Sequence, residues 1–105
     1  MNTVVKDWVI VSVIDNEKQI GKVLYGIIIE DMTCRFLPGD FFCSSMIIGI
    51  NLDTQLIKTE SGSLYQILGN GKRAKIKIEE FELLRQGFSP DQIVTIRQSP
   101  KLKVH

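Results

Sequence analysis

A dense cluster of basic side chains is the first feature of this sequence that suggests a chemistry. Lysine and arginine neutralise phosphate groups, and exposed tyrosines stack on bases, so such a cluster can bind nucleic acid. Tyr25 and Tyr65 are the candidates for stacking, and two lysines at positions 101 and 103 can extend the patch. The chain as a whole is balanced, with 13 basic and 12 acidic residues. The cluster therefore predicts either a nucleic-acid site or a solvated edge strand, and its members are Lys72, Arg73, Lys75 and Lys77.

Large aromatic side chains are the candidate contacts for a protein partner. An exposed apolar patch marks an interaction site in many soluble proteins. A strand at the edge of a sheet can also pair with a second copy, so a homodimer is a further possibility. The candidate interaction residues are Trp8, Tyr25, Phe41 and Tyr65.

Catalytic chemistry has little support in the sequence. Cys34 and Cys43 have no histidine base other than His105, which lies on the C-terminal tail, and the serines at positions 44 and 45 face the same lack. Two cysteines and one histidine fall short of the four ligands usual for zinc. We therefore predict no catalytic residue, no metal and no cofactor.

The two cysteines lie symmetrically about Pro38-Gly39. In a regular hairpin, Cys34 and Cys43 would face each other closely enough for a disulfide. Reduced thiols, one of them buried, are the alternative and the one that we favour, because a cytoplasmic compartment and the turn type both oppose the bond.

Strands rich in β-branched residues must position these side chains. The stretch from Ile20 to Ile50 predicts a strand, a type II turn at Leu37-Pro38-Gly39-Asp40 and a second strand from Phe41. Ser61-Gly62 predicts a hairpin turn. The predicted strands are 8–14, 20–30, 41–50, 55–60, 63–68 and, as a short edge strand, 72–77.

Two short helices should follow the strands. Ile78, Phe81, Leu84 and Phe88 recur at helical spacing, with Leu83 alongside, which predicts a helix. Phe81 and Leu84 should point inward from it. Ser89-Pro90-Asp91-Gln92 has the residues of a capping box with proline at the first helical position, so a second helix should begin there.

The order of elements predicts a mainly β fold, or β-rich α+β, in a single globular domain over residues 1–99 with a flexible tail at 100–105. Five or six antiparallel strands should form a small barrel or a curled sheet, with two short C-terminal helices covering it. The motifs Gly21-Lys22-Val23, Arg35 to Asp40 and Ser44-Ser45 resemble those of SH3-like barrels over residues 8–68. They also resemble small uncharacterised bacterial proteins carried on phages and other mobile elements.

The function that we expect is non-enzymatic binding of an unknown protein partner, as in an accessory protein of a mobile element; the last point is implied by the resemblance alone. The alternatives are a nucleic-acid-binding module that uses the basic cluster and a small enzyme of unknown class. The sequence has no signal-peptide pattern and no apolar run of membrane-spanning length, so we expect a cytoplasmic protein without a membrane partner.

Overall fold

The computed structural model describes residues 2–98, so the predicted tail, with positions 101, 103 and 105, lies outside the described residues. The described part is mainly β and ends in short helical segments, as predicted, although it has seven strands where we expected five or six. The strands are β1 (Thr3–Asp15), β2 (Lys18–Asp31), β3 (Phe41–Cys43), β4 (Ile47–Asn51), β5 (Leu56–Thr59), β6 (Leu64–Ile67) and β7 (Lys72–Lys77). A 3-10 helix (Ile78–Glu80), α1 (Phe81–Arg85) and α2 (Pro90–Gln98) follow.

Strand β1 is the axis of the sheet. It pairs with β2 along its whole length in antiparallel fashion, and its other edge pairs in parallel with β6 and then with β7. The expectation of a wholly antiparallel sheet is therefore wrong. Strands β6 and β7 follow each other along one edge of β1, and only the short connection at residues 68–71 separates them. The strand order is β3-β2-β1-β6-β5-β4, with β7 beside the second half of β1.

A bulge in β1 turns side chains from one face of the sheet to the other. Lys6 pairs with Ile27 and Val9 with Tyr25, so β1 has one residue more than β2 across this interval. Asp7 takes up the extra residue with a φ of 48°. As a result, Val5 and Trp8, three residues apart, pack in the core on the same face, whereas Val9 packs on the other.

The predicted strand 41–50 is bent into two strands. Strand β3 pairs with β2, and β4 pairs with β5 on the far side of the sheet. At the bend, Ser44 donates its N–H to the carbonyl of Leu24 at 2.9 Å, and its Oγ accepts the N–H of Leu24 at 2.8 Å. The covalent chain thus joins the two ends of an open sheet, which does not close into a barrel.

The sheet is strongly curled. Strands β3 and β6 are three positions apart in the strand order, about 14 Å in a flat sheet. Nevertheless, the rings of Phe42 and Tyr65 stack with their centroids 4.9 Å apart. Of the two predicted alternatives, barrel or curled sheet, the structure shows the curled sheet.

Both faces of the sheet bury apolar side chains, and each fully buried aliphatic side chain contributes about 1.5–3 kcal/mol to folding. The core on the concave face consists of Val5, Trp8, Ile10, Leu24, Ile28, Phe42, Ile57, Tyr65 and Ile67. The core on the other face, beneath the helices, consists of Val11, Val13, Val23, Tyr25, Ile76, Leu84 and Ile93.

The helices cover the second core. Leu84 and Ile93 are buried, and Ile78 and Phe81 pack beside them, as the helical spacing predicted. Phe88 lies beyond the end of α1 and is 37% exposed, so the predicted pattern does not extend to it. The capping box is confirmed, because Ser89 Oγ accepts the N–H of Gln92 at 3.1 Å and Gln92 Oε1 accepts the N–H of Ser89 at 2.8 Å.

The turn at residues 37–40 is formed as predicted, with Gly39 at φ 89° and a bond of 3.0 Å from the Asp40 N–H to the Leu37 carbonyl. This turn bonds back to Ile28 of β2 and does not close a hairpin between the cysteines. Cys43 pairs with Tyr25 instead, and both thiols are free. Among the described residues, none of the helices has the length and apolar character needed to span a bilayer.

Candidate functional site

A cleft of about 330 Å³ opens between the sheet and the start of α2. Its walls come from the bulge of β1, the middle of β2, the start of β3, the start of β7 and the first turn of α2. Five of the candidate residues from the sequence converge here, one each from β1, β2 and β3 and two from β7. The lining residues are Asp7, Trp8, Val9, Tyr25, Ile27, Phe41, Asn70, Lys72, Arg73, Ala74, Ser89, Pro90 and Asp91.

Two stacked aromatic rings form one wall of the cleft. The centroids of Tyr25 and Phe41 lie 6.0 Å apart with an interplanar angle of 20°. Phe41 is 56% exposed, whereas Tyr25 is 4% exposed and donates its hydroxyl to the carbonyl of Gly87 at 3.1 Å. Burial, followed by the nearby Cys43, raises the pKa of Tyr25, so this hydroxyl remains a neutral donor. The exposed ring of Phe41 therefore lies against the ring of Tyr25, whose position is held by this hydrogen bond.

Trp8 is a fixed part of the cleft. Its Nε1 donates to the carbonyl of Leu68 at 3.1 Å, and its ring lies against Gly71. A Cβ on Gly71 would lie 2.2 Å from the ring atoms Cδ2 and Cε3, so only glycine fits beside the ring. The indole is 9% exposed and lines the cleft.

The basic cluster lies on β7 and is exposed at all four positions. Lys72 and Arg73 line the cleft, whereas Lys75 and Lys77 continue along the strand away from it. The short edge strand 72–77 is confirmed with its predicted bounds. The structure thus brings two of the four basic candidates together with three of the four aromatic candidates, Trp8, Tyr25 and Phe41.

No pattern in the sequence places Asp7 and Asp91 in the cleft. Asp7 arrives there through its positive φ at the bulge, which no short motif announces. Asp91 was recognised as part of a helix start, and only the packing of α2 on β7 directs that helix end to the cleft. Two basic and two acidic side chains therefore line the same cavity.

Tyr65 lies outside the cleft. It is 3% exposed and stacks on Phe42 in the concave core, so it offers no surface to a base or to a partner. Phe88, by contrast, is 37% exposed and lines a shallow hollow with Ile96 on α2.

The nucleophile candidates lie apart from the cleft lining. Burial, which outweighs the opposing charge of Arg85, raises the pKa of the Cys43 thiol to about 11 and keeps it protonated at neutral pH. Ser44 Oγ accepts from Leu24 and donates to the Ser45 carbonyl at 2.7 Å, so its hydrogen bonds hold the bend between β3 and β4. Within residues 2–98, no group of three or more His, Cys, Asp or Glu side chains is arranged to hold a metal ion.

Comparison with known proteins gives a family and no function. No curated protein and no solved structure matches the chain, so the likeness to SH3-like barrels rests on the sequence motifs alone. A family model described as a domain of unknown function, DUF6957, matches residues 1–83. The match spans all seven strands and the 3-10 helix and ends within α1. The chain therefore belongs to the DUF6957 family.

Proposed function

We propose that this chain is a non-enzymatic binding domain that holds part of a partner protein in the cleft around Phe41. The observation that carries the proposal is the exposed ring of Phe41, which is stacked on the anchored Tyr25 beside charges of both signs. A rigid aromatic side chain loses little conformational entropy on binding, and such side chains dominate the energetics of many interfaces.

The charges of the cleft favour a protein ligand over a phosphate chain. Lys72 and Arg73 attract carboxylates, and Asp7 and Asp91 attract basic side chains, so a polypeptide can satisfy both pairs. A phosphate chain would gain from the first pair and be repelled by the second. The net charge of +1 adds no long-range attraction for nucleic acid.

Nucleic-acid binding is the second candidate, and the position of β7 is what favours it. The basic side chains follow one strand, and the first two of them, Lys72 and Arg73, line the same cleft as the exposed Phe41. A single-stranded nucleic acid with one base stacked on Phe41 could extend its phosphates along Lys75 and Lys77.

The absence of enzymatic activity is part of the proposal and is supported by the nucleophile candidates. Cys43 is a protonated, partly buried thiol, and the hydroxyl of Ser44 takes part in two hydrogen bonds at a structural bend. We further infer a cytoplasmic protein, for which the two free cysteines are typical. An accessory role on a mobile element remains a proposal that rests on the sequence motifs.

Affinity capture with matched variants tests the proposal. The full chain, Phe41→Ser and Leu37→Ser are used as bait in a lysate of the native host, and bound protein and nucleic acid are both quantified. Leu37 is 71% exposed and does not line the cleft, so it is the matched control. We expect Phe41→Ser to reduce one captured protein at least tenfold and Leu37→Ser to leave it unchanged.

Three results would contradict the proposal. Equal capture of the protein by all three baits would exclude the cleft as its binding site. Recovery of nucleic acid that Lys75→Glu and Lys77→Glu abolish, without a protein, would favour the second candidate. Turnover of a small molecule by the purified chain would show an enzyme. Thermal unfolding of each variant verifies that the fold is intact.

A further inference from the structure

Arg35 is exposed, yet three contacts hold its guanidinium group in place. Its Nε donates to Thr33 Oγ1 and its Nη1 donates to Ser63 Oγ, each at 2.9 Å. Its Cζ lies 5.1 Å from the centroid of the Phe36 ring, within the range of a cation–π contact. Within residues 2–98, this guanidinium group forms no salt bridge. A positive charge is therefore held in a fixed position, and no carboxylate of the described chain is paired with it.

The backbone that carries Arg35 is also fixed, because Asp31 binds it. The Asp31 carboxylate accepts the N–H groups of Thr33, Arg35 and Phe36 at 3.0, 2.7 and 2.8 Å. It also accepts the hydroxyl of Thr33, whose oxygen in turn receives the Nε–H of Arg35. The guanidinium group is therefore positioned before any ligand binds, which lowers the entropic cost of binding.

A cluster of four hydroxyl groups lies beside this guanidinium group. Ser45 Oγ donates to Ser61 Oγ at 3.2 Å. Ser61 Oγ lies 3.1 Å from Thr59 Oγ1 and 3.3 Å from Ser63 Oγ, and in both contacts either oxygen can be the donor. Thr59 is fully buried, whereas Ser45 and Ser61 are exposed. The cluster thus extends from the interior to the surface and ends at the oxygen that Arg35 contacts.

The hydrogen bonds of the cluster leave one hydroxyl proton for an external acceptor. When Ser45 and Thr59 donate to Ser61, the proton of Ser61 is directed to Ser63. Ser63 Oγ then accepts from Ser61 and from Arg35, so its own proton has no acceptor within residues 2–98. Arg35 adds three N–H groups, because a guanidinium group has five and only two of them donate within residues 2–98.

We propose that Arg35 and Ser63 bind the phosphate group of a phosphate monoester or of free phosphate. The planar guanidinium group can donate two parallel hydrogen bonds to two oxygens of such a group. A phosphate monoester has a third terminal oxygen, which lies outside that plane, and the hydroxyl of Ser63 beside Nη1 donates to it. A carboxylate or a phosphate diester has only two terminal oxygens and leaves Ser63 without an acceptor. The site shares no residue with the cleft around Phe41 and does not depend on the function proposed for it.

Nuclear magnetic resonance of the full chain, at neutral pH and constant ionic strength, tests this site. The probes are inorganic phosphate and, for comparison, acetate. The signals followed are the Nε–H of Arg35 and the backbone N–H groups of Ser61 and Ser63. We expect phosphate to shift these signals with saturation at millimolar concentration and acetate to bind at least tenfold more weakly.

Variants separate this geometry from a simple effect of charge. Arg35→Lys keeps the charge but loses the fixed planar group, so we expect at least tenfold weaker binding of phosphate. Ser63→Ala should weaken the binding of phosphate at least threefold and leave that of acetate unchanged. Arg85→Gln is the matched control, because Arg85 is also exposed and forms no salt bridge within residues 2–98, and it should bind like the unmodified chain. Thermal unfolding verifies that each variant is folded.

The carboxylate of Glu60 supplies a test of the sign of the charge. Glu60 is exposed, precedes Ser61 in the chain and forms no salt bridge within residues 2–98. Its charge opposes a bound anion, so Glu60→Gln should bind phosphate at least as tightly as the unmodified chain. The proposal fails if this variant binds more weakly, if phosphate does not saturate the signals, or if acetate binds equally well. It also fails if Arg35→Lys binds phosphate as tightly as the unmodified chain does.

Three further probes identify the source of the phosphate group. They are a phosphoserine peptide, adenosine monophosphate and a thymidine dinucleotide, in which the phosphate is a diester. Tighter binding of the peptide than of inorganic phosphate would identify a phosphorylated protein, and tighter binding of the monophosphate would identify a nucleotide. Equal binding of these two probes and inorganic phosphate would identify free phosphate, and each of these three results supports the site. Tighter binding of the dinucleotide than of all three would overturn the proposal in favour of nucleic acid.

Discussion

At the scale of single residues, Asp31 organises the connection between β2 and the turn at residues 37–40. Its carboxylate accepts five hydrogen bonds, from the hydroxyls of Thr3 and Thr33 and from the N–H groups of Thr33, Arg35 and Phe36. Desolvation alone would raise the pKa of Asp31, but these hydrogen bonds outweigh it and hold the pKa well below its ordinary value.

We expect Asp31→Asn to destabilise the fold by about 1–3 kcal/mol, since an amide can accept on one atom only. The effect should depend on pH. Because the pKa of Asp31 is lower in the folded state, its contribution is complete above the unfolded value of about 4 and is lost as the pH falls further. Urea unfolding of the unmodified chain and of Asp31→Asn at pH 7 and pH 3 measures the destabilisation and its pH dependence. The free energies of unfolding of the two proteins should differ less at pH 3. A constant difference in free energy would contradict this account.

Residue types in the sequence predicted local features well and side-chain surroundings poorly. Gly39 and the pair Ser89 and Gln92 were recognised because turns and helix caps depend on a few adjacent residues. Tyr65 was expected at a surface and lies in a core, because its strand curls towards Phe42. Asp31 was not recognised as an organising residue, since its partners lie both before and after it in the chain.

At the scale of elements, β1 and the start of β7 are fitted together by Trp8 and Gly71. Gly71→Ala places a methyl group within 2.2 Å of the indole and should destabilise the fold by about 2 kcal/mol or more. Gly49→Ala is the matched control, because no atom lies within 4 Å of its Cβ, and should change stability by less than about 0.5 kcal/mol. Denaturant unfolding of both variants measures the difference, and equal stabilities would show that the indole is free to move.

The 3-10 helix and α2 are joined by one ion pair. Arg97 donates to both carboxylate oxygens of Glu80, at 2.6 Å and 2.8 Å, and this contact lowers the pKa of Glu80 and raises that of Arg97. A double-mutant cycle with Glu80→Gln and Arg97→Gln should give a coupling of about 0.5–1 kcal/mol that decreases in high salt. A coupling of zero at low salt would mean that packing alone docks α2.

Element positions followed from the sequence where the pattern is local. The strand 72–77 and the start of α2 were placed correctly, because the Gly-rich break and the capping residues delimit them. The bend of the strand predicted at 41–50 was missed, because Ser44 supports it through Leu24, which lies 20 residues away. The bulge at Asp7 was missed for a similar reason, since its position depends on the pairing of β1 with β2.

At the scale of the whole molecule, the order and direction of the strands depend on pairings that the sequence alone does not predict. The mainly β content and the covering helices follow from composition and periodicity. The parallel pairing of β1 with β6 and β7 depends on contacts between residues about 60 positions apart, for which one sequence holds no local signal. The cleft could not be predicted from the sequence for the same reason, because it forms only where β1, β2, β3, β7 and α2 meet.

Site-specific photo-crosslinking in the native host tests most directly whether the cleft is the binding site. A benzophenone amino acid replaces Phe41 in one version of the full chain and Leu37 in another, and both versions are irradiated in living cells. We predict one defined protein adduct from position 41, weaker when Lys72→Glu is added, and little or none from position 37. Equal adducts from both positions, or adducts only with nucleic acid at position 41, would contradict the account.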